Sequence, residues 1–272
     1  MGLLHPVGSL LSSSLNPSNV QRQTRNLKDA LNERGIAVKS VTAALSRCDT
    51  PEERAELNEF ALGSLTYRLD DSSDGTLLTE EEAYLLSDQY KRSVVEKMTV
   101  PQLVDIIFLR PTVFLSKSDL SSPLAMADVR TQPLSNMIYT SDHCIVTQKG
   151  VVLSRCSEAL REPEIPIAEL CLTKIGVKLI GRIENVSGFI MGCDFIAAGA
   201  NLCFTGLGPR SSYSGSSFLM KNDLTGTRCV AVVKNVYDRN SGRLFLTEVF
   251  TLVGYKTCLV LDVILGEHNP HR

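Results

Sequence analysis

Residues 188–212 constrain the fold more tightly than any other stretch of this chain. Two short apolar strands flank a tight turn at Ala198-Gly199-Ala200-Asn201, the composition of a β-hairpin. Asp194 opens the first strand, and Arg210 follows the second behind Gly206, Gly208 and Pro209. An acid and a guanidinium therefore come to the same end of a sheet. The glycines let the backbone approach something closely, either a ligand or another strand. Residue types alone are satisfied by a structural hairpin with a surface salt bridge.

At 272 residues the chain is long enough for one large domain, or for one domain with an insert. A formal net charge of -2 leaves no electrostatic footprint for nucleic acid. No apolar run is long enough to span a bilayer. The eight cysteines are scattered and none forms a Cys-x-x-Cys pair, so they read as reduced thiols rather than a disulfide frame or zinc site. The histidines at 5, 143, 268 and 271 do not group with cysteines at ligand spacing, and neither a metal nor a cofactor is expected. The first 28 residues lack acids and carry Arg22, Arg25 and Lys28, a pattern shared by mitochondrial presequences and by ordinary surface helices. A cytoplasmic location is expected, with a mitochondrial one as the alternative.

Taken in order, the chain opens with a short strand at Gly2–Pro6. A helix then starts at Asn16-Pro17, with Asn as N-cap and Pro at the first helical position. Gly35 ends it, and Ile36-Ala37-Val38 reads as a strand, completing a first α/β repeat over residues 1–42. Residues 43–128 change character and read as a helical insert. Thr50-Pro51-Glu52-Glu53 and Thr79-Glu80-Glu81-Glu82 are capping boxes, and Val100-Pro101 opens a third helix. Asp70–Gly75 is acidic like a calcium loop but lacks the downstream ligands, so a polar turn is predicted. Residues 129–272 return to α/β alternation. A hairpin runs from His143 to Arg155 through Gln148-Lys149-Gly150. Strands are predicted over Arg228–Asn235 and Arg243–Val253, split by Asn240-Ser241-Gly242.

Four ordered segments resemble the arginine deiminase family of guanidine-modifying enzymes. Gly192-Cys193-Asp194, followed by Gly206-Leu207-Gly208-Pro209-Arg210-Ser211, is similar to the family's Glu-Gly-Gly-Asp and Gly-x-Gly-x-Arg-Thr. Pro133 to Asp142, containing Asn136, resembles Pro-x-Pro-Asn-x-x-Phe-Thr-Arg-Asp with Ser141 in place of the Arg. Arg161 and Glu164 match Arg-x-x-Glu, and Val260-Leu261-Asp262 matches a degenerate His-Leu-Asp. The resemblance implies an α/β fold, a propeller of ββαβ repeats around a central site (pentein-like), here incomplete because the chain stops before a closing repeat.

It also implies hydrolysis of L-arginine to L-citrulline and ammonia through a cysteine thiolate. By position, Asp142 and Asp262 would grip the guanidinium. Arg161 and Arg210 would hold the substrate carboxylate. Asp194 and Glu164 would support them, with Asn136 and Gly192 shaping the site. The departures fall on the chemistry. Met191 stands where the family has a substrate-gripping Glu, Val260 where it has the catalytic His, and the C-terminal nucleophile segment lies beyond Arg272. Cys193, Cys258 and His143 are the nearby substitutes. Losing a proton-transfer residue alone costs on the order of 10²–10⁴ in rate. An impaired or inactive deiminase-like protein is therefore expected. The alternatives are a guanidine- or protein-binding scaffold, a subunit completed by a partner or a second copy, and an incomplete gene product.

Overall fold

The structure, a computed structural model, describes residues 16–134, 136–184, 188–234 and 243–265. The chain divides into two compact units, Met1–Asn26 with Ser135–Arg272, and Leu27–Leu134. Helix α1 (Pro17–Asn32) begins as its sequence dictates, with Asn16 Oδ1 accepting from Asn19 N at 3.1 Å. It buries no residue, and Gly35 closes it at φ +75. Residues 36–38 join no ladder, so the strand predicted there is not formed. The run is too short to reward pairing without a neighbour. The strand predicted at Gly2–Pro6 lies outside the described residues.

The Leu27–Leu134 unit carries α2 (Val41–Ser46), α3 (Pro51–Ser64), α4 (Glu80–Leu85), α5 (Asp88–Glu96) and α6 (Val100–Leu109). Their starts follow the predicted caps: Thr50 Oγ1 accepts from Glu53 N at 3.2 Å, and Thr79 and Glu82 cap each other reciprocally. Leu57, Ala61, Val95, Leu103, Val104 and Ile107 form its buried interior. The unit is not purely helical. Strands β1 (Thr66–Leu69), β2 (Pro111–Ser116) and β3 (Ala125–Thr131) make a sheet in that order, β1 parallel to β2 and β2 antiparallel to β3. These strands are four to seven residues long and β3 is exposed throughout, so no buried alternation marks them in the sequence. Asp70–Gly75 is a polar turn in which Asp70 accepts from Ser72 Oγ at 2.5 Å.

The second unit is built on a repeated pattern. Strands β4 (Cys144–Val146) and β5 (Val151–Leu153) form an antiparallel hairpin, helix α7 (Glu164–Lys174) follows, and β6 (Leu179–Arg182) returns parallel to β5. The order recurs in β7 (Phe195–Ala197), β8 (Leu202–Leu207), α8 (Tyr213–Lys221) and β9 (Cys229–Lys234), with β9 parallel to β8. These are two ββαβ repeats in small mixed sheets. One apolar cluster serves both: Ile145, Val152 and Ile183 from the first meet Ile190, Phe195, Cys203 and Leu219 of the second.

The segment predicted as a strand over Arg243–Val253 is instead a short helix, α9 (Leu246–Val249), running into β10 (Phe250–Gly254). The helical turn forms because its first N–H groups find acceptors: Glu248 takes Phe245 N at 2.9 Å and Asp194 takes Leu246 N at 2.7 Å. Strand β11 (Thr257–Val260) pairs antiparallel with β10. The turn predicted at Asn240–Gly242 lies outside the described residues. Among the described residues, no helix is long and apolar enough to cross a membrane.

Glu82 ties the Leu27–Leu134 unit together. It accepts from Thr79 N at 2.9 Å and Leu124 N at 3.2 Å, and it pairs with Lys117, which is 4% exposed. The Lys117 ammonium and the Thr79 bonds hold the Glu82 carboxyl down at about 2, against 4.5 ordinarily. A depressed carboxyl stabilises the fold fully above its unfolded value and loses that effect as the pH falls toward the folded one. Glu82→Ala is therefore expected to lower the thermal midpoint at neutral pH, with the gap to the wild type narrowing between pH 4.5 and about 2. Melting curves of both proteins at pH 7 and pH 3 check this; a gap of constant size removes Glu82 from the role.

Candidate functional site

Each ββαβ repeat is preceded by a short 3-10 turn that carries an acid. Thr140–His143 leads into β4 and brings Asp142 and His143 inward, both 1% exposed. Gly192–Asp194 leads into β7 and brings in Asp194, 3% exposed. The turns pack so closely that side chains are excluded. A Cβ on Gly192 would overlap the carbonyl oxygens of Ser141 and Cys144, and one on Gly206 would sit 2.5 Å from Asp194 Oδ1. Gly192 thus admits another segment of the chain's own backbone, and Gly206 admits the Asp194 carboxylate.

The centre is a buried charge cluster. Arg161, 1% exposed, comes from the turn Ala159–Arg161 that precedes α7. Its Nη1 donates to Asp142 Oδ2 at 2.7 Å and its Nε to Glu164 Oε2 at 3.0 Å. His143 Nε2 lies 2.8 Å from Glu164 Oε2 and 3.3 Å from Arg161 Nη2. The other Glu164 oxygen accepts from Asn136 N at 3.0 Å. Burial alone would push the Glu164 carboxyl up, but the His143 bond and the Arg161 charge together hold it below the usual range. Burial opposes the Arg161 charge, but the Asp142 bond together with the nearby Cys156, Glu164 and Asp142 charges more than offsets it, so the guanidinium is raised.

Asp194 adjoins this cluster. Its Oδ2 accepts from Ser211 Oγ at 2.5 Å and its Oδ1 from Leu246 N. Burial pushes its carboxyl up to about 6, with Asp142 and Glu248 adding repulsion. Arg210 is half-buried, pairs with Glu158, and is lowered by burial. Cys193 lies 3.1 Å from Ser141 Oγ; burial and the Asp142 charge push its thiol up to about 12. Burial does the same for Cys156. Met191 is fully buried among Leu153, Cys156, Ile165 and Phe245, so this position is apolar core. Among the described residues no group of three or more His, Cys, Asp or Glu is placed to hold a metal.

Of the residues singled out in the sequence, Asp142, Arg161, Glu164 and Asn136 meet directly, with Asp194, Gly192, Cys193 and Arg210 beside them. Asp262 opens a turn after β11, is exposed, and among the described residues bonds to none of the others. Val260 is half-buried at the end of β11, paired with Phe250, and Cys258 is exposed. Glu158, Ser211 and Glu248 belong to the site, and Glu158 and Glu248 carry no sequence signal beyond residue type. Ser211 alone was within reach of a motif, as the hydroxyl after Arg210.

Two outcomes follow. Removing Arg161 leaves Asp142 and Glu164 buried without their cation, so Arg161→Ala is expected to destabilise the fold by about 3–5 kcal/mol, read from urea unfolding; a loss near zero would free Arg161 for a ligand. Asp194 titrates near 6 folded and near 3.8 ordinarily, so its effect on stability is fully present below 3.8 and is lost as the pH rises through about 6. Asp194→Asn keeps an acceptor for Leu246 N and is expected to flatten the stability profile between pH 4 and 6, measured as the urea midpoint against pH.

No curated protein matches the chain. Among solved structures, the DDAH from Pseudomonas aeruginosa complexed with citrulline is 15% identical, with 72% of this chain and 68% of that chain covered, at a TM-score of 0.40. The substrate-bound N-terminal domain of ArgZ, an arginine dihydrolase from the ornithine-ammonia cycle in Cyanobacteria, is 15% identical, with 72% and 65% covered, also at 0.40. A dimethylarginine dimethylaminohydrolase adduct with 4-chloro-2-hydroxymethylpyridine is 18% identical, with 45% and 47% covered, at 0.38. The chain spans about half to two thirds of the length of these structures, and at such scores the likenesses carry no weight of their own. The model of the arginine deiminase family matches residues 8–272, and with nearly the whole chain so covered, the protein belongs to that family.

Proposed function

We propose that this arginine deiminase family protein binds a guanidinium-bearing ligand, L-arginine or a close relative, and does not hydrolyse it. The observation that carries this reading is the charge balance of the cluster. Five carboxylates, Asp142, Glu158, Glu164, Asp194 and Glu248, are linked there against two guanidiniums, Arg161 and Arg210. The surplus is felt in Asp194, which is held near 6 partly by its acidic neighbours. A cationic, planar, multi-donor ligand relieves that surplus better than any neutral one.

Turnover needs a thiolate and a proton carrier. Cys193 and Cys156 are both pushed up to about 12, so neither thiol ionises near neutrality. Arg161, assigned by family position to the substrate carboxylate, is occupied by Asp142 and Glu164. Val260 cannot transfer a proton. The repeats β4-β5-α7-β6 and β7-β8-α8-β9 support reading the second unit as blades of the family's propeller, with any remaining blades supplied by further chain, a partner or a second copy.

Calorimetric titration of L-arginine into the protein, with a citrulline assay on the same sample, tests the proposal. A saturable heat that ends, no citrulline, and affinity reduced at least about tenfold by Asp194→Asn are expected. Citrulline release abolished by Cys193→Ser would restore the hydrolase. No heat from a folded sample would leave the cluster a purely structural device.

A further inference from the structure

Strand β3 closes one side of the sheet in the Leu27–Leu134 unit. All of its residues are exposed, and among the described residues no strand pairs with its outer edge. An exposed edge is a template for another strand. The β3 edge is apolar as well, because Met126 and Val129 are exposed. A bulge leaves Ala127 unpaired, so that Val129 lies opposite Val113 and Met126 opposite Leu115. Val113 and Leu115 share a face of β2, and the bulge thereby brings Val129 and Met126 onto one face as well.

In an antiparallel pair, every second residue of the edge strand turns its N–H and C=O outward. Pro111 has no N–H to exchange with Thr131, so the rungs that exchange two bonds fall at Arg130 and Asp128, and Val129 faces out. That outward N–H is occupied by the chain itself. Asp128 Oδ1 accepts from Val129 N at 2.8 Å, and Arg130 Nε donates to the other carboxylate oxygen at 2.8 Å. Arg130 is fixed in turn by lying over the Phe114 ring, 4.5 Å from its centroid. Both oxygens of Asp128 are thus committed along the strand, and one of them covers the donor that an incoming strand needs.

We propose that this contact is autoinhibitory: Asp128 caps the β3 edge and keeps a second copy of this chain from pairing with it. A second copy is the occupant because β3 is complementary to itself. Run antiparallel about Val129, two β3 strands set Val129 against Val129, where both bonds are exchanged. Position 128 of each copy then faces Arg130 of the other, so no like charges meet. The apolar face of Val129 and Met126 is covered in the same step. Pairing requires release of the Val129 N–H, so the chain with Asp128 in place does not use this edge. The device is independent of the guanidine reading.

Sedimentation equilibrium of the full chain and of Asp128→Ala tests the proposal. Asp128 is exposed, so the variant folds. It is expected to self-associate at least about tenfold more tightly than the wild type, with a dissociation constant on the order of 10–100 µM for so short a pairing. Adding Val129→Pro removes the outward N–H without touching the β2 ladder and should restore the wild-type behaviour. Amide exchange gives a second reading at concentrations where every variant is monomeric. With intrinsic sequence effects divided out, the Val129 N–H is expected to exchange several-fold faster in Asp128→Ala, while the Arg130 N–H in the ladder keeps its rate. Equal self-association of wild type and Asp128→Ala, extra association that survives Val129→Pro, or a Val129 amide indifferent to Asp128 would each overturn the proposal.

Discussion

A single guanidinium organises the interior of the repeat-bearing unit. Arg161 is almost completely withdrawn from water, yet it carries a charge that must be matched. Asp142 and Glu164 match it, one from the turn ahead of β4 and the other from the first residue of α7. The fork geometry of arginine lets one residue grip two acids from different elements, which a lysine point charge cannot do. Once Arg161 is placed, the acids have defined positions, and His143 and the backbone of Asn136 complete the shell around Glu164. The position of the helix, the turn and the hairpin all follow from satisfying this charge. Buried pairs of this kind are weak sources of net stability but strong determinants of arrangement, since any other arrangement strands a charge.

This self-sufficiency changes how inherited site residues are read. A residue can keep its identity while its partner changes from ligand to chain. Asp142 and Arg161, singled out by resemblance to the family's motifs, satisfy each other here. The apolar packing of Met191 points the same way, because a carboxylate there would enter a cluster of Leu153, Ile165 and Phe245.

Much of this was legible in the sequence where local chemistry decides. The turns at Gln148-Lys149-Gly150 and Ala198–Asn201, and the caps at Asn16, Thr50 and Thr79, depend on a few adjacent residues and were formed as expected. The order of Asp142, Arg161, Glu164 and Asp194 also gave the site its candidates. What could not be read depends on distant partners. The strands β1 and β2 form because they find each other across about forty intervening residues. The helix α9 replaces a strand because Asp194, far away in sequence, accepts its first N–H. The pairing of Arg161 with its own chain's acids is likewise invisible to a motif, which records residue types and spacing but not who meets whom.

The close approach of the Gly192 backbone to the carbonyls of Ser141 and Cys144, which leaves no room for a Cβ, has a further consequence. The entry turn of the second repeat is pressed onto the entry turn of the first with no side chain between them, and the two repeats share one apolar cluster. Neither repeat can open by itself without exposing backbone and core that belong to the other. They therefore behave as one cooperative element rather than as beads on a string, and the amides of both hairpins should become exchangeable in a single opening event. The two repeats thus share a pattern of elements, and their cooperativity rests on one glycine seam.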